Sequence, residues 1–234
     1  MRPALLLVPL AMPLIPPASA ETNGVQVTPV IIQVAPERRL ASVRVHNRRD
    51  TEMMFEVNVF AWSQDDGADV LSETTDVVVA PSVFAVRPGQ EQIVRLAIMA
   101  AAREAGREAA YRLILRQLPA AEAGAGLRVQ LQMSLPVFAP PRGATTALEA
   151  RRSRDGAVVL SNIGTSVVRI ADVQYGADAS LPDMPRYLLA GEEVTRPAPN
   201  GVGALRVSYT TLNQPALSTD TLVLDAPLAL VGVR

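Results

Sequence analysis

The chain has 234 residues, 49% apolar but only 4% aromatic, with a formal charge of −1, so it can bury a core built from Val, Leu, Ile and Ala. The near-zero charge argues against a nucleic-acid binder, which carries a basic excess to meet phosphates. All 22 basic residues are Arg, which excludes chemistry that needs Lys, such as a Schiff base or a phosphate-loop Lys; with no Cys, packing alone must carry stability.

In chain order, Met1-Arg2 opens a basic region. Leu5, Leu6, Leu7, Val8 and Leu10 form a short apolar run, and Ala18-Ser19-Ala20 has the small-residue cleavage pattern. Residues 1–20 therefore read as a secretory signal peptide. Pro9, Pro13, Pro16 and Pro17 interrupt the run, which is too short to span a bilayer, and no later stretch is long and apolar enough, so no membrane insertion is expected.

Alternation of apolar and polar residues, the mark of half-buried strands, follows in Val25-Gln26-Val27, Leu40 to Val45 and Met54 to Phe60. Gln64-Asp65-Asp66-Gly67 has turn chemistry, and Asp65 to Asp69 reads as a solvated turn. Val77 to Val79 ends at Pro81. Val86-Arg87-Pro88-Gly89 is a second turn, and Gln92 to Leu96 resumes the alternation. Met99 to Ala110 reads as a connecting loop, Tyr111 to Arg116 as a strand, and Ala120 to Gly126 as a flexible hairpin loop. Leu127 to Leu135 then alternates strictly. Leu127, Val129, Leu131, Met133 and Leu135 share one face, opposite Arg128, Gln130, Gln132 and Ser134.

Pro140-Pro141-Arg142-Gly143 reads as a stiff linker between a domain over 21–139 and a second over 144–234. The second half repeats the pattern more weakly, in Ala157 to Leu160, Val167 to Ile170, Ala204 to Tyr209 and Thr221 to Leu224, around Asn162-Ile163-Gly164. Short strands with turns about every ten residues predict an all-β chain of two β-sandwiches in tandem.

Signals for catalysis are poor. The lone His46 beside Arg44, Arg48 and Arg49 reads as a surface residue, and there is no Gly-x-Ser-x-Gly elbow. Zinc-ligand spacing is missing, and Asp65-Asp66-Gly67-Ala68-Asp69 lacks the spacing and closing Glu of a calcium loop. No catalytic residue, metal or cofactor is expected.

Three blocks in order carry a resemblance. Pro81, Val86-Arg87-Pro88-Gly89 and Ile93 to Leu96 resemble a strand, Pro-Gly turn, strand unit. Tyr111 to Pro119 resembles a penultimate strand, and Leu127 to Phe138, closing on Pro140-Pro141, resembles a donor strand with its linker. Together they resemble the PapD-like periplasmic chaperones of chaperone–usher pilus assembly, a sandwich fold that works by strand addition.

The resemblance implies two immunoglobulin-like domains in a boomerang arrangement, and a periplasmic chaperone. It would cap pilin subunits by donor-strand complementation and pass them to an outer-membrane usher. Leu127, Val129, Leu131, Met133 and Leu135 would be its pilin-binding residues. Relatives anchor a pilin C-terminal carboxylate with basic residues where this chain has Ile31 and Pro136 or Leu135. That departure suggests the archaic or spore-coat-U-associated group, with Arg112, then Arg116, as candidate anchors. When free, the exposed strand could pair with a second copy in a dimer. The rival reading is a secreted structural or adhesive protein of two sandwich modules.

Overall fold

The structure, a computed structural model, describes residues 24–99, 106–119, 130–176, 179–198, 204–212 and 216–224. Among these every regular element is a strand. The first ten are β1 (Val25–Thr28), β2 (Ile32–Gln33), β3 (Leu40–Asn47), β4 (Met53–Asp65), β5 (Ala68–Glu73), β6 (Val77–Ala80), β7 (Val83–Val86), β8 (Glu91–Ile98), β9 (Ala109–Gln117) and β10 (Gln132–Ala139). They form a four-stranded sheet in the order β1-β3-β8-β6 and a six-stranded sheet in the order β2-β10-β9-β4-β5, with β7 also on β4. The segment after β1 thus crosses from one sheet to the other, as does the chain from β6 to β7. β9 begins at Ala109, so the expected loop ends earlier than its sequence suggested.

Period-two burial explains these strands. Val43 and Val45, Met53, Phe55 and Val57, Val94, Leu96 and Ile98, and Tyr111, Leu113 and Leu115 all turn into one core. β4 then changes allegiance. Beyond Phe60 its buried residues are Trp62 and Gln64, on the opposite face. Its first half serves its own sandwich and its second half is buried against the other.

β5 is exposed along its whole length, which is why its sequence carries no alternation. It is joined to β4 by Asp66-Gly67, both at positive φ (48° and 81°), the two-residue hairpin connection that favours Asp-Gly.

The second group is β11 (Leu148–Arg152), β12 (Val158–Asn162), β13 (Val168–Tyr175), β14 (Ala179–Ser180), β15 (Tyr187–Leu188), β16 (Glu193–Arg196), β17 (Leu205–Thr210) and β18 (Ser218–Leu222). It makes sheets in the orders β11-β12-β16 and β14-β13-β17-β18, with β15 also on β13. These enclose Leu160, Val168, Leu188, Leu205 and Val207.

Both sandwiches turn a corner with the same device. Buried Asn47 ends β3, donates through Nδ2 to the carbonyls of Thr51 (2.7 Å) and Val86 (2.9 Å), and accepts the Arg49 N–H at Oδ1 (2.9 Å). Buried Asn162 ends β12, donates to Ser166 (2.8 Å) and Leu188 (3.0 Å), and accepts the Gly164 N–H (3.1 Å). A short amide can satisfy a turn and two strands at once, so these polar side chains tolerate burial.

A third apolar cluster joins the sandwiches. Trp62 of β4 and Phe138 of β10 pack on Val167, Tyr187 and Leu189, with Ile31, Ala110 and Leu212 at the margin. The Trp62, Phe138 and Tyr187 rings lie 5.6–5.7 Å apart, centroid to centroid, the spacing of favourable aromatic pairs. Gln64 imitates a strand beside them. Its Nε2 donates to the Tyr187 carbonyl (2.8 Å), and its Oε1 accepts the Leu189 N–H (2.9 Å).

The Asp66-Gly67 turn is exposed at Asp66, yet it also touches the second sandwich. Asp66 Oδ1 accepts the Thr195 N–H (2.6 Å), its Oδ2 pairs with Arg196 (3.2 Å), and a Cβ on Gly67 would meet Val194 at 3.0 Å.

Candidate functional site

Among the described residues, β10 is paired fully on one side only. Against β9 it runs antiparallel from Gln132↔Arg116 to Ala139↔Ala109. On its other side β2 covers only Val137 and Phe138, in parallel. The Leu131 carbonyl accepts the Gln117 N–H (2.8 Å), and the Phe138 carbonyl accepts the Val34 N–H (2.8 Å) on the opposite side. By the alternation of a β ladder, the peptide groups of Gln132 and Ser134 therefore point to the open edge. Pro136 shares that phase, so its missing N–H costs the β9 ladder nothing, the usual condition for Pro in a strand.

Burial rises along β10. Leu131 and Met133 are half-buried; Leu135 and Val137 are buried in the first core. Across the seam the other sheet ends in β1, which among the described residues pairs only with β3. Between β1 and Met133 lies a groove of about 420 Å³ lined by Val25, Val27 and Val30, with Arg48 contributing a cation. Val30 is 62% exposed. Two sheet edges flanking an apolar floor can accept an extended segment, hydrogen-bonded along its backbone and anchored by its side chains.

Residues 24–145 match the family model for the pili and flagellar-assembly chaperone, PapD N-terminal domain. The chain belongs to this chaperone family. Among curated proteins none matches it. The chaperone's fold is similar to that in the CsuC–CsuE chaperone–tip subunit pre-assembly complex from the archaic chaperone-usher Csu pili of Acinetobacter baumannii. That match has a TM-score of 0.69 at 19% identity, covering 87% of this chain and 100% of the other. It is also similar to the E. coli chaperone DraB (0.66, 14%, 86% and 97%) and to Salmonella enterica SafB, solved with the SafA pilin (0.66, 13%, 85% and 96%). These likenesses establish tandem immunoglobulin-like sandwiches.

The chaperone's expected site residues fall into three groups. Leu131 and Met133 lie on the half-buried stretch of the open-edged strand, and Met133 lines the groove. Leu127 and Val129 lie outside the described residues. Leu135 needs correction: at 5% exposure it belongs to the chaperone's own core and has no free surface to offer a client.

Arg112 and Arg116 also need correction. They alternate with buried Tyr111, Leu113 and Leu115 and so lie on the outer face of the sheet, away from the groove. Each already holds a carboxylate. Arg112 binds Asp69 at 2.7 Å, 3.6 Å above the Trp62 ring and only 14% exposed. Arg116 binds Glu56 at 2.5 Å, and that bond holds the Glu56 carboxyl below its usual range. The sequence reading missed Arg48 and the β1 wall. The Val25-Gln26-Val27 alternation marked a strand, but not the neighbour it would lack.

Proposed function

We propose that this pilus chaperone caps pilin subunits by strand addition in the seam between β1 and β10, and passes them to an outer-membrane usher. It would act in the periplasm after loss of residues 1–20. The open edge at Gln132 and Ser134, beside half-buried Met133, carries this reading. A pilin lacking a strand exposes both an unpaired edge and core side chains. β10 offers the complementary edge, and Leu131 and Met133 offer the side chains, each worth about 1.5–3 kcal/mol when fully buried. The CsuC–CsuE and SafB–SafA complexes give the same pairing of partners in proteins of this fold.

Arg48 supplies the groove's positive charge and would favour a client segment with an acidic group at that end.

Co-expression with a candidate pilin tests the reading. Leu131→Asp and Met133→Asp should each abolish one-to-one co-purification while leaving the chaperone soluble and folded by circular dichroism. Undiminished capture by both variants refutes the donor-strand assignment.

A further inference from the structure

Glu108 is the one charged side chain among the buried polar residues of the described chain, at 7% exposure. It stands immediately before β9, and its segment is fastened to the second sandwich. The Glu108 N–H donates to the Thr165 carbonyl at 2.9 Å. Its Oε2 accepts the Val167 N–H at 2.6 Å and the Ser166 hydroxyl at 2.9 Å. Its Oε1 is equally buried and has no partner among the described residues, and in the same junction Trp62 Nε1 also has none among them. Both donors to the carboxylate are uncharged.

The other charged or titratable groups on the elements that build the junction are engaged elsewhere or lie at its margin. Arg107 packs over Gly191. Arg112 is held by Asp69 and Trp62, and Asp66 is held by Arg196. Tyr187 lies within the aromatic cluster, and Glu192 is in the turn after Leu189.

We propose that Glu108 makes the junction between the two sandwiches a proton-operated latch, closed while its carboxyl is protonated and loosened when it ionises. An ionised carboxylate needs donors on both oxygens, and here one oxygen has two and the other none. When the proton leaves to solvent, the stranded charge on Oε1 is relieved by admitting water, which requires the lead-in to β9 to part from Thr165–Val167. Each sandwich keeps its own core throughout.

The sign follows from linkage. Burial raises the Glu108 carboxyl above its ordinary value of 4.5, outweighing the Val167 and Ser166 bonds that lower it. The closed junction therefore binds the proton more tightly than the open one. Its stability is greatest below the ordinary value, falls as pH rises to the raised one, and is level above it.

Trp62 is the chain's sole tryptophan and lies in this junction, so its fluorescence reports the latch directly. The test is acrylamide quenching of Trp62 in the purified chaperone between about pH 4 and pH 8, a window that brackets a raised carboxyl. In the wild type the quenching constant should rise at least about twofold across the window. Glu108→Gln, which cannot ionise, should hold it flat. Ser166→Ala removes a bond that favours the ionised form, so it should move the midpoint to higher pH. Carbon NMR of the Glu108 carboxyl in the wild type should titrate with the quenching midpoint, which keeps the test independent of whether the Gln variant folds. Quenching that is flat in the wild type, equally pH-dependent in Glu108→Gln, or displaced from the carboxyl titration overturns the proposal.

Discussion

Truncating Gln64 to Ala should destabilise the junction far more than its position in a polar, turn-like stretch implies. The side chain is 7% exposed and makes two bonds across the junction, at 2.8 and 2.9 Å. Alanine removes both and leaves the Tyr187 carbonyl and Leu189 N–H facing each other's vacated partner. Each stranded buried group costs about 1–3 kcal/mol. Water entering the vacated space would recover part of that cost, so the expected loss is about 2–4 kcal/mol. With a urea slope of about 2 kcal/mol/M, the midpoint should fall by about 1–2 M. Urea unfolding followed by Trp62 emission measures this at the junction itself. Arg151→Ala is the reference, since its pair with Glu193 is half-exposed on both sides (48% and 54%) and is worth less than about 1 kcal/mol. If Gln64→Ala costs no more than Arg151→Ala, the amide is not acting as a surrogate strand and the reasoning fails.

Two further substitutions probe the frame. Asn47→Ala and Asn162→Ala should each cost about 2–4 kcal/mol, because each leaves two carbonyls without the amide that donates to them; thermal unfolding that stays within about 1 °C of wild type would contradict this. Arg112→Ala should lose about 1–2 kcal/mol and shift Trp62 emission, because a guanidinium shielded from water lies on the indole face. Unchanged emission would show that the stack does not persist in solution.

The fold was legible because most core strands bury one face and leave the other wet. Leu40 to Val45, Met54 to Phe60 and Leu127 to Leu135 all carry that alternation. β5 was illegible for the opposite reason, since neither of its faces is buried. β14 and β15 are two residues each, too short to show any period. The junction was hidden more deeply: Gln64 is buried by residues 123 and 125 positions away, and no local pattern encodes that.

The candidate site was half legible. Alternation identifies the apolar face of β10, but not how far along it the chaperone's own core extends, so Leu135 reads from sequence as facing a client while the fold uses it internally. Arg112 and Arg116 stand out in the sequence only by their strand. Their carboxylate partners stand on β4, which pairs with β9, and on β5, which pairs with β4, and no residue of β9 announces either.

Pro136 has a consequence for any guest that docks beside it. A strand advancing along β10 finds donors and acceptors at Gln132 and Ser134, then a residue with nothing to donate, and immediately after it a berth already occupied by Ile32 and Gln33. Travel ends there. On the proposed reading, the alignment of host and guest would be fixed from one end, like a drawer meeting its stop, and a client whose matching side chains fell one residue out of step would present the wrong face to the groove.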